Sequence, residues 1–216
     1  MKPIPFLNEW QWAFITQRLD KPAPRHMQER LKHAIENTNK ISRDKVLFKL
    51  NGSDVSVSLL KSSDELIGFQ CEKGGCADFI QNPDGPVQSR EKNLDVTYVF
   101  RSAGTLIGFI TVAMSSLRKL EESRQDSEER VPEIPSLLLT HLARDIRYKG
   151  EGVGKLLTDW AVYFANELAE IIGCRFIILE IEQKMITLFQ RYGFELLPPD
   201  RNNRRYVMFF DLGTHE

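Results

Sequence analysis

Apolar residues recur along the chain with two spacings. The first clear pattern is Met27, Leu31 and Ile35 at four-residue intervals after Pro22 and Pro24, one apolar stripe on a helix. Val46 to Leu50 and Val55 to Leu60 then flank Asn51-Gly52, a pair that adopts positive φ at little cost and predicts a hairpin. In its second arm Val55, Val57 and Leu59 share one face against Ser56 and Ser58. Asp64 to Ile80 reads as loop and short helix. Asp95 to Arg101 and Thr105 to Ser115 are strands joined by a turn at 102–104, too short for anything but an antiparallel pair. Leu120 to Pro135 sets Glu121, Glu122, Asp126, Glu128, Glu129 and Glu133 against Arg124 and Arg130, and predicts an exposed loop or a short solvated helix.

Past Pro135 the spacing changes again. Leu137 to Leu142 is an apolar strand, and Val153, Leu156, Leu157, Trp160, Ala161, Phe164 and Leu168 form the stripe of a long helix that Gly173 ends. Arg175 to Glu182 predicts a strand, Lys184 to Tyr192 a helix stopped at Gly193, and Phe194 to Leu197 with Tyr206 to Leu212 the last two strands. This order divides the chain into an N-terminal helical and hairpin extension, residues 1–54, and an α/β domain, residues 55–216.

Composition narrows the class. The 216 residues are 42% hydrophobic and 10% aromatic, enough to bury one full core with an appendage. Lys and Arg (29) balance Asp and Glu (30), so nucleic-acid binding would need a local patch rather than the field of the whole molecule. Arg144, Arg147 and Lys149 with Arg201, Arg204 and Arg205 are the candidates for one. Cys71, Cys76 and Cys174 are odd in number, and C-x4-C without a second ligand pair is no zinc signature, which predicts reduced structural thiols, no metal and a cytoplasmic setting. No stretch reaches the ~18 apolar residues of a membrane span, and Pro3, Pro5, Asn8 and Glu9 interrupt the start where a signal peptide needs an apolar run.

The candidate chemistry lies between the apolar strand and the long helix. Gly150, Gly152 and Gly154 let successive main-chain N–H groups face a ligand, and the helix after them adds its partial positive end. A phosphate-bearing cofactor follows. Leu156 after Gly154-Lys155 excludes a P-loop, which needs Ser or Thr there to hold magnesium. A dinucleotide fingerprint would need glycine where Lys155 stands, although Glu180 at the end of the next strand keeps that alternative open.

Lys149-Gly150-Glu151-Gly152-Val153-Gly154 resembles the [QR]-x-x-G-x-[GA] acetyl-CoA signature of the GNAT acetyltransferase superfamily, with lysine in place of Arg or Gln. Phe176 to Glu180 resembles the family's splayed strand, and Leu188-Phe189-Gln190-Arg191-Tyr192-Gly193-Phe194 its L-Y-x-[KR]-x-G-F helix end. Further similarity at 66–71, 78–80, 91–99, 107–109 and 137–145 is to the branch of toxins that acetylate aminoacyl-tRNA. The resemblance implies a GNAT fold, a mixed, mostly antiparallel twisted sheet flanked by helices, that moves acetyl from acetyl-CoA to a primary amine, aminoacyl-tRNA among the acceptors. It implies a toxin-antitoxin setting, with a homodimer as a candidate assembly.

The same resemblance assigns Leu142, Ala143 and Arg144 to the acetyl and pantetheine groups. It gives the pyrophosphate to Lys149, Gly150, Glu151, Gly152, Val153, Gly154 and Lys155, and places Phe189 at the cofactor. Phe189 stands where most of the family has the tyrosine that protonates the leaving thiolate, so Tyr192, three residues on, is the substitute acid. His141 on the apolar strand is the candidate for taking a proton through water. A metabolite or protein N-acetyltransferase and a non-catalytic CoA-binding module are the alternatives.

Overall fold

The computed structural model describes residues 6–19, 21–36, 39–42, 45–72, 75–82, 85–119, 133–198 and 206–213. In chain order these form strand β1 (Phe6–Leu7), helices α1 (Glu9–Leu19) and α2 (Arg25–Glu36), and strands β2 (Asn39–Ser42), β3 (Lys45–Leu50) and β4 (Ser53–Leu59). Helices α3 (Gly75–Gln81) and α4 (Pro86–Glu91) precede strands β5 (Val96–Ser102), β6 (Thr105–Lys119) and β7 (Ile134–Arg144). Helix α5 (Val153–Ile172), strand β8 (Phe176–Ile181), helix α6 (Ile186–Arg191) and strands β9 (Glu195–Leu196) and β10 (Tyr206–Asp211) complete the chain. Two compact units share them. The first holds Met1–Leu31, Met114–Leu138 and Phe164–Glu216, the second Lys32–Ala113 and Leu139–Tyr163.

The second unit is an antiparallel meander in which β2, β3, β4, β5 and β6 pair in turn. Asn51 (φ 50°) and Gly52 (φ 83°) make the tight turn between β3 and β4 that the Asn-Gly pair predicts. The end of β7 lies beside β6, with Asp145 N donating to Ile107 O at 2.9 Å. Against this meander the first half of α5 buries Val153, Leu156, Leu157, Trp160 and Ala161, as its four-residue stripe requires. The Trp160 ring lies 4.6 Å from Tyr98 and 5.6 Å from Phe100, centroid to centroid. Burying one such side chain contributes about 1.5–3 kcal/mol.

In the first unit β7 and β8 run parallel over three pairs, Ser136 with Phe176, Leu137 with Ile177 and Leu138 with Ile178. Strands β8, β10 and β9 follow in antiparallel order, and β1 pairs in parallel with the end of β6. Helix α1 was not expected from the sequence. Its Ile15 is fully buried, Phe14 meets the Phe209 ring edge to face at 6.0 Å, and Gln11 Nε2 donates to Pro198 O at 2.7 Å. Met27 of α2 is also fully buried, and its Sδ accepts from Asp211 N at 3.1 Å. Arg175 Nη2 donates to Arg18 O at 2.8 Å and Lys21 O at 3.1 Å, which ties the link between α1 and α2 to the start of β8.

Strand β7 begins earlier than the pattern suggested and includes Pro135, whose carbonyl accepts from Arg175 N at 2.9 Å. The acidic stretch 120–132 and the Arg201, Arg204 and Arg205 cluster lie outside the described residues. One expectation is corrected: Cys71 and Cys76 form a disulfide rather than two reduced thiols. Cys174 is the free cysteine among the described residues, buried, with its thiol pushed up to about 11 by desolvation.

Candidate functional site

The glycine turn is built from both ends. Strand β7 leads into Asp145, a single 3-10 turn at Ile146–Tyr148, and then Gly150 (φ 87°) and Gly152 (φ 86°), a backbone shape closed to most side chains. Helix α5 starts at Val153, so the amides of Val153, Gly154 and Lys155 have no acceptor within the helix, and Leu156 N makes the first bond, to Gly152 O at 3.0 Å. Nothing approaches within 4 Å of where a Cβ on Gly150 would stand, and only Leu50 Cδ1, at 3.5 Å, does so at Gly152. Asn51 Nδ2 donates to Glu151 O at 3.3 Å, linking the hairpin tip to the turn.

Asp145 holds this shape from below. Its carboxylate is fully buried, caps the 3-10 turn through Arg147 N at 2.9 Å, and accepts from Gln70 N at 3.2 Å. Arg147 adds Nε at 2.8 Å and Nη2 at 2.7 Å. That guanidinium holds the Asp145 carboxyl below the usual carboxylate range, and Asp145 in turn raises Arg147. Arg147 thus helps to hold the turn. Gly108 matters equally: a Cβ there would stand 2.9 Å from Ala143 O and 3.2 Å and 3.3 Å from side-chain carbons of Val153 and Leu157. Its absence lets β6 touch the end of β7 and the start of α5.

The remaining candidates separate into groups. Leu142 and Arg144 are half-buried and Ala143 buried at the end of β7. Arg144 Nη2 and Lys149 Nζ converge on one oxygen of Glu72, at 3.1 Å and 3.2 Å. Those two cations, Lys149 first, keep the Glu72 carboxyl below its ordinary range. Lys155 Nζ is bonded to Asp159 one helical turn on, at 2.9 Å. His141 is half-buried, its ring stacked on Phe79 at 3.7 Å with 10° between planes, and Nδ1 lies 3.3 Å from Thr140 Oγ1. Phe189 and Tyr192 belong to the first unit; Phe189 is buried in α6 and meets the rings of Tyr192 and Phe194 edge to face at 6.0 Å and 5.7 Å.

Sequence reasoning missed Asp145, Gly108, Gln70 and Glu72. Apart from Arg147 beside Asp145, their partners lie 35 to 77 positions away, and only the chain's return to the turn brings them together. Among the described residues no cluster of three or more His, Cys, Asp or Glu is placed to hold a metal, and no helix is long and apolar enough to cross a membrane.

A mixed, mostly antiparallel sheet with a glycine turn between a strand and a long helix is the α/β architecture that the resemblance to the GNAT superfamily implies. Comparison with known proteins agrees. Over 122 residues, 51% of this chain and 67% of the relative, the sequence is 31% identical to the probable toxin TacT of Sinorhizobium fredii (strain NBRC 101917 / NGR234). Its fold is similar to that of a bacterial toxin with TM-score 0.60 (20% identity, 74% of this chain and 92% of that one). AtaT complexed with acetyl-methionyl-tRNAfMet gives 0.57 (19% identity, 73% and 95%). A tyrosine-to-phenylalanine mutant of AtaT, bound to acetyl-CoA and the C-terminus of the antitoxin AtaR, also gives 0.57 (22%, 73% and 93%). No protein-family model matches the chain. The chain belongs to the toxin branch of the GNAT superfamily of acyl-CoA-dependent N-acetyltransferases.

Proposed function

We propose that this protein transfers acetyl from acetyl-CoA to the α-amine of aminoacyl-tRNA, and that it is the toxin of a toxin-antitoxin pair acting in the cytoplasm. The observation that carries the reading is the turn itself: positive-φ Gly150 and Gly152 open into the amides at the start of α5, an anion cradle that a side chain at either glycine would disturb. These residues fit a pyrophosphate. The cofactor, when bound, supplies an activated acyl thioester.

In this reading the amides of Gly150, Gly152, Val153 and Gly154 hold the pyrophosphate, and Lys149 and Lys155 add positive charge; Lys155 does so by leaving Asp159. The parallel ladder with β8 ends at Leu138 while β7 continues to Arg144. Main-chain groups from Leu142 to Arg144 are therefore assigned to the acetyl and pantetheine end, where an N–H polarises the carbonyl oxygen. Tyr192 Oη is assigned the proton for the departing thiolate and Phe189 an apolar contact with the cofactor, both from the family motif.

His141 is assigned to relay a proton from the amine. The acceptor's demand for a base is modest: an α-amine titrates near 7.7–8.0 against about 10.4 for a lysine side chain, so far more of it is neutral at pH 7. The catalytic residues of this reading are all assigned to 55–216.

Incubation of the full chain with acetyl-CoA and bulk charged tRNA, followed by mass spectrometry of the acceptor, tests this. N-acetylated aminoacyl-tRNA is the expected product, absent with Gly152→Glu. Acetylation of free amines or proteins with charged tRNA untouched would replace the acceptor by a metabolite or protein amine; no turnover with retained CoA binding would make the chain a regulatory module.

A further inference from the structure

The strap that crosses the glycine turn carries more than a structural role. Gln70 lies on the turn through two main-chain bonds, its N–H to Asp145 Oδ2 at 3.2 Å and its carbonyl to Ile146 N at 2.7 Å. Two residues on, Glu72 places one carboxylate oxygen 3.1 Å from Arg144 Nη2 and 3.2 Å from Lys149 Nζ. Between them Cys71 is bonded to Cys76 at the start of α3, across a Cα–Cα distance of 6.7 Å. Both cysteines pack on a cluster containing Phe109 and Ala143, so the link is anchored to the sheet.

We propose that Glu72 is a built-in counter-anion that occupies Arg144 and Lys149 until the cofactor's pyrophosphate displaces it, and that the Cys71–Cys76 bond sets its grip. This rests on the acyl-CoA reading of the turn. Its chemistry follows from the geometry. A carboxylate near two cations lowers their attraction for any incoming anion, because the ligand must first break that contact. The disulfide shortens the free chain that carries Glu72 and raises its effective concentration at the cations.

Reduction reverses this. A dithiol gives two electrons and two protons, the S–S bond breaks, Cys71 and Cys76 become thiols, and the reductant leaves as its cyclic disulfide. Glu72 then spends less time at Arg144 and Lys149, and the cofactor binds more tightly. Cofactor affinity therefore rises under reducing conditions.

Titration calorimetry of acetyl-CoA into the full chain tests the proposal, with wild type and Glu72→Gln each measured with its disulfide intact and after dithiothreitol. Exposed ion pairs of this kind correspond to a gain of about two- to tenfold on release. Reduction is expected to tighten wild-type binding by that factor. Glu72→Gln should show the gain without reductant, respond no further to it, and lose the advantage at about 0.5 M salt, where exposed charges are screened. A variant no tighter than wild type, a wild type indifferent to dithiothreitol, or a redox response that survives in Glu72→Gln each overturns the proposal. No binding in any of the four samples overturns the acyl-CoA reading along with it, whereas binding without a Glu72 effect overturns this proposal alone.

Discussion

Replacing Asp145 with alanine removes the one buried carboxylate under the glycine turn. Two main-chain amides, Arg147 N at 2.9 Å and Gln70 N at 3.2 Å, lose their acceptor. Each stranded amide costs about 1–3 kcal/mol, and partial access of water brings the sum to about 2–4 kcal/mol. The Arg147 guanidinium, 53% exposed, returns to water with little net loss. Such a deficit lowers the melting temperature of a chain this size by about 4–16 °C.

The pH dependence has a definite sign. Because Arg147 depresses the carboxyl in the folded state, its contribution is present above the unfolded value of about 4 and disappears as pH falls through the folded value. Urea denaturation over a pH series should therefore show wild type and Asp145→Ala well separated at pH 7 and converging in acid, with Asp145→Asn between them. Acetyl-CoA affinity should fall with the turn's order. A variant within about 0.5 kcal/mol of wild type at pH 7, or a gap that stays constant down to pH about 2, would refute the assignment of Asp145 as the turn's anchor.

Three further outcomes are expected. Gly108→Ala places a Cβ 2.9 Å from Ala143 O and should cost about 1–3 kcal/mol by chemical denaturation, together with a loss of acetyl-CoA binding by calorimetry. Phe189→Tyr returns the family's hydroxyl to α6 and should raise kcat for acetyl transfer, while Tyr192→Phe should lower it by about 10²-fold, the scale of one general acid; equal rates for Tyr192→Phe and wild type would remove Tyr192 as the acid. Met27→Ala empties a site with no solvent exposure and should cost about 2–5 kcal/mol in unfolding measurements, linking α2 to the stability of the first unit.

What could be read from the chain depended on the range of the cause. Helix α5 was visible because Val153, Leu156, Leu157, Trp160 and Ala161 are all buried on one stripe. The β3–β4 hairpin was visible because Asn51 and Gly52 both take the positive φ their residue types tolerate. Helix α1 escaped notice because its apolar residues run nearly unbroken, Trp10, Trp12, Ala13, Phe14 and Ile15, and hide the period. Trp10 is 82% exposed, whereas the polar Gln11 is buried beside Ile15.

In the site, the glycines were legible as local backbone chemistry. Asp145 and Glu72 were not, since each depends on where residues 70–72 return to β7, while the Cys71–Cys76 pair was visible but read as two thiols. Lys155 and Arg147 were legible as charges, but their partners, Asp159 and Asp145, emerge only from the folded turn.

The missing side chain at Gly108 has a kinetic meaning. Ala143 O, Val153 and Leu157 all close on the place where a side chain at Gly108 would begin, so the end of β7 and the start of α5 pack on β6 through one close seam at the two ends of the glycine turn. A cradle fixed in this way pays its ordering entropy during folding rather than at ligand capture. Association should then rise linearly with ligand concentration, with no slow isomerising phase, and selection among acyl carriers would be exercised by their rates of departure.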